Sequence, residues 1–339
     1  MRLGFSGHPV SLGSRALAIL TLCSTLQAQD RFATSIVDYQ QGPGGGLFDP
    51  AVLLGGPRGL GFGAGSLDVL TLGVDAQVTV GFDVTITNGP GADFIVFENG
   101  FEAGGSIFAE VAFVEVSTNG VDFARMPSRY NGATGPFPPL LYGTFSGLAG
   151  GIPVLANVDT NAIDPFDPVV SGGEAFDLAD LRDHALVTSG ALDLSEIHFV
   201  RLVDMVAGTD LDSEGTVVWD AGAADFDAIS VIHHTGNQSA SGPRVRLFVD
   251  QAGRLHAVIH DPDGISDLDL STRAVSFNLR PMSFRDMRRW FRLQLVSGDT
   301  IHLVSRFNLA GAPQGVLAMS IRDYSGAFSA DQISMRRPR

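Results

Sequence analysis

The sequence predicts an all-β protein: a jelly-roll β-sandwich followed by a small immunoglobulin-like β-sandwich. Three observations carry this. Short apolar stretches with alternating polar positions recur after residue 30, turns rich in the 41 Gly and 17 Pro separate them, and helical periodicity is scarce. The division into two follows from length and charge. A chain of 339 residues has the length of about two domains. Residues 1–235 hold 8 Arg against 28 acidic residues, whereas residues 236–339 hold 14 Arg against 9 Asp and no Glu. There is no Lys anywhere.

The N-terminus reads as a signal peptide over residues 1–28. Arg2 and Arg15 supply the basic region, Ala16 to Leu22 the apolar run, and Leu26-Gln27-Ala28 the cleavage site. The competing reading is a buried first helix. Export is therefore expected, to the cell surface or the extracellular space. The single cysteine, Cys23, lies in this leader, so the mature chain has no disulfide and must draw rigidity from a large core or from metal ions. Lipidation of Cys23 is the alternative, although Leu22 is bulkier than such signals prefer. No later apolar run reaches about 18 residues, so no transmembrane anchor is expected in the mature chain.

In the acidic domain, residues 30–235, strands are expected at Gln77–Thr87, Asp93–Phe97, Ala109–Ser117, Ile197–Val203 and Ala228–Ile232. Asn119-Gly120 closes the third of these as a hairpin. Phe176–His184, with an acidic first turn, is the best helix candidate. Residues 131–175 read as a long excursion that shapes a functional wall. Thr235 to Pro243 is polar and aperiodic, which makes 236–243 the linker. Beyond it, strands are expected at 244–249, 254–260, 274–279, 291–295, 300–305 and 317–323, the rhythm of a small immunoglobulin-like domain over 244–339.

Gly81–Phe101, Phe108–Phe123 and Asp225–Ile232 together resemble a group of bacterial exported or cell-surface proteins with a jelly-roll domain similar to discoidin or galactose-binding-like modules. The resemblance covers about residues 45–235 and implies a binding rather than a catalytic role. In related carbohydrate-binding jelly rolls an Asp of the final strand helps hold a structural calcium, and Asp225 and Asp227 occupy that kind of position. Leu255–Asp267 separately resembles the start of immunoglobulin-like repeats of bacterial surface proteins.

Asp210, Asp212 and Glu214 alternate before Gly215, the first half of a calcium loop, and Asp220, Asp225 and Asp227 continue the series. A twelve-residue loop from Asp210 would need a carboxylate at Ala221, so an EF-type loop is incomplete and a solvated acidic turn competes with a calcium site. Glu98 and Asn99 stand at a strand end beside Gly100, where they can bind a ligand or complete a calcium shell, or simply form a turn. Glu115, in mid-strand, is expected to face solvent. Ser146 only partly matches a nucleophile motif, and the adjacent His233 and His234 should point to opposite faces of a strand. Arg280, Arg285, Arg288, Arg289 and Arg292 surround Trp290 as a patch for an anionic polymer or the acidic domain, or as a solvated face.

The reading is thus a calcium-stabilised, non-enzymatic exported binding protein with an extracellular glycan or surface polymer as partner. A secreted polymer hydrolase and a purely structural envelope protein are the alternatives. A net charge of −15 argues against nucleic acid.

Overall fold

The computed structural model describes residues 31–235, 243–261, 265, 268–308, 311–323 and 328–335. The proposed leader, Cys23 and nearly all of the proposed linker lie outside the described residues.

Residues 31–235 form two antiparallel sheets packed face to face. One has the order β1 (Ala33–Gln40), β3 (Gln77–Ile86), β12 (Ile197–Asp204), β7 (Ala112–Ser117) and β8 (Ala124–Arg125). The other has the order β11 (Glu174–Phe176), β4 (Phe94–Glu98), β13 (Asp225–Val231) and β2 (Leu70–Thr71). From β2 onward the main strands alternate between the sheets, the jelly-roll route. Alternation of side chains then builds the core: Val78 and Val80, Val114 and Val116, and Val200 and Leu202 from one sheet meet Phe94, Val96, Phe226 and Ile229 from the other. The Asn119-Gly120 hairpin forms as expected, with Asn119 Oδ1 accepting from the amides of Val121 and Asp122.

The 131–175 excursion packs on the outside of both sheets. Leu140, Phe145 and Leu148 cover Phe113 on the back of β7, while Val154 covers Ile95 and Phe97 on the back of β4. Two short pairs accompany it, β5 (Phe101–Ala103) with β6 (Ser106–Phe108), and β9 (Arg129–Tyr130) with β10 (Phe145–Ser146). Strands covered on both faces read as continuous apolar runs, which explains why β4 and β7 carry so little polar alternation.

The helix expected over 176–184 is not continuous. β11 ends at Phe176, Leu178–Leu181 form a 3₁₀ turn capped by Asp177, and α1 (Ala185–Thr188) starts afresh with His184 Nδ1 accepting from the Leu186 amide. Asp177 and His184 both satisfy nearby amides, which divides the segment.

The second sandwich has one sheet in the order β14 (Arg244–Val249), β15 (Arg254–His260), β19 (Thr300–Asn308), β18 (Phe291–Val296). Its other sheet runs β17 (Arg280–Pro281), β16 (Leu268–Phe277), β20 (Gly315–Asp323), β21 (Phe328–Met335). Strand pairs enter the two sheets in turn, as in the immunoglobulin sandwich. Leu255, Ala257, Phe291, Leu317, Met319 and Ile321 fill its core. α2 (Phe284–Trp290) was not foreseen. Its signal was present, because Ser283 and Asp286 form a reciprocal capping box ahead of Met287 and Trp290.

The sandwiches touch along β21 and the β16–β17 turn. The amide of Ala92 donates to Ala330 O, Ser329 Oγ to Pro90 O, Ser276 Oγ to Val169 O and Ser334 Oγ to Phe145 O. Ile152, Leu279 and Val316 form a small apolar cluster between them.

Candidate functional site

The main candidate is one end of the first sandwich. β4 ends there at Glu98, β12 ends at Asp204, β7 begins just after Glu110, and β13 begins at Asp225; the registers Phe226 to Glu98 and Asp204 to Ala112 hold these ends level. Glu98 follows Phe94 and Val96 on the inner face of β4, so its carboxylate is aimed between the sheets. It is 1 % exposed. Glu98 Oε1 accepts from the Asp225 amide at 3.2 Å, whereas Oε2 is buried with no hydrogen-bond partner.

Two glycines leave this oxygen room. A Cβ on Gly150 would lie 3.0 Å from Glu98 Oε2 and 2.7 Å from Glu110 O. One on Gly100 would lie 3.5 Å from the same Oε2, 2.9 Å from Gly150 O and 3.2 Å from Phe108 O. Gly222 similarly makes room for Glu110 Oε1, 2.4 Å from its own Cβ position. Carboxylate and carbonyl oxygens therefore gather where side chains are absent.

Among the described residues, no arginine acts on Glu98 or Glu110. Burial pushes the Glu98 carboxyl well up, and its charged neighbours Glu110 and Asp225 push it further. Glu110 is raised to about 8, first by burial and then by Asp225, Asp220 and Asp204. Asp220 rises to about 7 through burial, although the Val111 amide donates to its Oδ2 at 2.8 Å; its Oδ1 is buried without a partner. Asp204 also rises to about 7 through burial, yet both its oxygens are engaged, by the amides of Ala224 and Asp75. Asp225 is raised by burial and held down by a hydrogen bond with Thr71. Like charges taken from water together favour either protons or a bound cation.

The structure thus places Glu98 and Asp225 on one side of Glu110 and Asp220 and Asp204 on the other, so that Glu110, which the sequence alone does not single out, links them. The other expected ligands go elsewhere. Asp212 accepts from the amides of Tyr130, Glu214 and Thr216, Asp210 accepts from the Val206 amide, and Glu214 pairs with Arg129. The alternating carboxylates stitch a loop rather than point at one spot. Asp227 lies in a bulge of β13; its Oδ2 accepts from the Arg58 amide at 2.7 Å, its Oδ1 is buried without a partner, and burial raises it to about 7 beside Asp68. Asn99 clamps the 60–67 loop by accepting from the Ser66 amide and donating to Ser66 O. Glu110 was hidden in the sequence because it seemed part of the strand that follows; β7 starts two residues later, which frees it to face the cluster.

Glu115 does not face solvent as expected. It is 6 % exposed and held by Arg125 at 2.9 Å and by Arg201, whose guanidiniums stack on Phe113 and Phe123. His233 is buried, its Nδ1 2.8 Å from Asp93 Oδ1, and Asp93 also accepts from the amides of Gly89 and Leu178. Of the arginine patch, Arg280 reaches the acidic domain, making two bonds to Glu102 at 2.8 and 3.0 Å.

All donors at the strand-end cluster are hard oxygens, the set that suits calcium rather than a softer metal. Among the described residues, no group of three or more histidine, cysteine or carboxylate side chains is placed to hold a metal ion. A comparison with models of known protein families finds no match to this chain, and a comparison with curated proteins finds none either.

Proposed function

We propose that the chain is an exported, non-enzymatic binding protein of the cell surface or extracellular space, stabilised by calcium at the end of its first sandwich. The observation that supports this best is Glu98 Oε2, buried and unpartnered beside Glu110 and Asp225, with no arginine among the described residues acting on it. Calcium would be held by Glu98, Glu110 and Asp225 with nearby backbone carbonyls, and it would supply the positive charge that the fold lacks there. Burial of Glu98 favours an ion over a substrate, because a catalytic carboxyl of a polymer hydrolase must touch its substrate. Exposed Leu60, Leu67 and Phe108 lie on the loops and hairpin around this end, as a binding face requires. An extracellular glycan or surface polymer is the proposed partner, on the strength of the jelly-roll resemblance.

Thermal unfolding of the full chain in millimolar calcium and in chelator tests the ion. The melting transition of the first sandwich should rise with free calcium, as linkage requires. Coincident curves would overturn the calcium reading, and a glycan array that stays blank in calcium would overturn the partner.

A further inference from the structure

The second sandwich carries a different cluster. Leu255, Ala257 and Ile259 of β15 point into its core, so His256 and His260 point outward; Ile301 and Leu303 do the same on β19, leaving His302 outward. Antiparallel pairing sets Val258 opposite His302, which makes His256 and His302 diagonal neighbours on one face. Their rings lie 5.0 Å apart, and His256 Nδ1 is 2.8 Å from His302 Nε2.

The protons can be assigned from the partners. His256 Nε2 is 3.0 Å from Asp250 Oδ2, and an ionised carboxylate only accepts, so Nε2 carries the proton and Nδ1 presents a lone pair. His302 must then donate through Nε2. Asp250 is itself fixed by the β14–β15 turn, its Oδ1 accepting from the Arg254 amide at 2.8 Å. Phe248 stacks on the His256 ring at 4.8 Å and 10°. One imidazole is thus locked by a carboxylate behind and an aromatic face beside it, the support that metal-bound histidines commonly have.

We propose that His256 Nδ1 and His302 Nε2 form a binding site for a divalent late-transition metal ion, copper(II) above all, with Asp250 as the positioning residue behind His256. The two nitrogens point at each other, since they are 2.8 Å apart and their ring centres 5.0 Å apart. Each ring therefore swings by about 45° to aim its lone pair at an ion about 2.0 Å away, which the pair then binds at about 90°. That is the angle between neighbouring ligands in a square-planar or octahedral ion, and it is narrower than the ~109° of tetrahedral zinc. Binding moves the His302 proton from Nε2 to Nδ1, so that two neutral rings release no net proton. Water completes the shell, because His302 and the rim of His256 reach solvent. The site lies in the other sandwich from the proposed calcium cluster and does not rest on it.

The test is titration of the chelator-treated full chain with copper(II) chloride at neutral pH, followed by electron paramagnetic resonance and calorimetry. One equivalent should bind with two nitrogens in the copper spectrum, and copper and nickel should bind more tightly than zinc. His256→Gln and His302→Gln should each weaken binding at least tenfold, Asp250→Asn by about ten- to a hundredfold, and His260→Gln should leave it unchanged. The nitrogen count on the parent chain needs no variant, so a folding defect cannot mask the result. A spectrum with fewer than two nitrogens, parental affinity in His302→Gln, or a preference for zinc would overturn the assignment.

Discussion

The two sandwiches share an architecture but differ in where most of their perturbed carboxylates sit, Asp331 at the seam being the acid of the second that burial raises. In the first, Glu98, Glu110 and Asp204 sit at or beside strand ends and Asp220 in the loop between two of them, all withdrawn from water and raised by burial. In the second, Asp250, Asp286 and Asp299 stand in exposed turns and caps and are lowered, Asp250 first by the Arg254 amide and the other two first by serine hydroxyls. Net charge alone does not produce this contrast. Position does: an acid at a strand end between sheets loses water, whereas one in a turn keeps water and gains local donors. The first sandwich therefore gathers buried like charge that a counter-ion would relieve, whereas the turn acids of the second keep water and local donors.

The largest expected effect breaks this contrast directly. At a free calcium concentration a hundredfold above its dissociation constant, the first sandwich should gain about 2.7 kcal/mol, and the second nothing. For a domain of this size that is roughly 5–10 °C in melting temperature. Glu98→Gln should abolish the gain and at the same time stabilise the calcium-free protein at pH 8, because the buried carboxyl must either stay charged beside Glu110 and Asp225 or take up a proton on folding, and the amide does neither. A variant less stable than its parent in chelator would show that burying this carboxyl does not cost the fold stability.

The next effect belongs to the seam, where burial raises Asp177 to about 8 and Asp331 to about 7. They face Asp93 and Asp180, with Arg182, Arg244 and Arg246 lining the same groove of about 590 Å³. Each folded-state value lies above the ordinary carboxylate value, so the folded protein holds these protons more tightly. Their stabilising contribution is complete below about pH 4 and is lost as pH rises to 8. On the order of 2 kcal/mol of docking should disappear over that window after allowance for solvent screening. Unfolding of the two sandwiches should accordingly separate at pH 8 and merge near pH 5. The double variant Asp177→Asn, Asp331→Asn should flatten the dependence, and an unchanged slope would place the titration elsewhere.

The strands were the legible part of the sequence. β14 and β15 have the expected bounds, β3 and β12 differ from expectation by one residue at one end, and β4 is shifted by one residue at both, because alternation and turn chemistry are local. β1 and β21 were missed: the first is polar on its exposed face, and the second, with Ser329, Asp331 and Ser334, spends its polar groups on β14 and the first sandwich. The site was only half legible. Glu98 could be picked out as a strand-end acid and Asp225 through the carboxylate series and the jelly-roll resemblance, but Glu110 meets them through a pairing that joins distant segments. Asp212 misled for a related reason, since alternating carboxylates bind backbone amides as readily as ions.

Glu115 provides an internal control, being a buried acid of the first sandwich with two arginines on it. Arg125 and Arg201 neutralise it from the neighbouring strands. Glu115→Ala should cost about 1–2 kcal/mol, less than breaking a fully buried pair because both arginines retain partial access to solvent. The loss should be the same in calcium and in chelator. A calcium-dependent loss would mean that the ion's influence reaches along β7 and that the strand-end cluster is not a separate unit.

The smallest effect concerns the bridge between the two regions. Arg280 sends its guanidinium across the seam to Glu102, lies 4.8 Å over the ring of Phe62, and shares Glu102 with the Tyr142 hydroxyl. It looks like the strongest link between the acidic and the basic sandwich. Its side chain is nonetheless 61 % exposed, and a pair so open to water is screened by salt and contributes little. Arg280→Ala should therefore cost less than about 1 kcal/mol, vanishing in half-molar salt. Leu279→Ala next to it should cost more, because Leu279 packs with Ile152 and Val316 out of water. Calorimetry of both variants at low and high salt distinguishes the two kinds of contact. If Arg280→Ala proved the more damaging and kept its effect in salt, opposite charge rather than apolar burial and strand-edge hydrogen bonds would hold the sandwiches together.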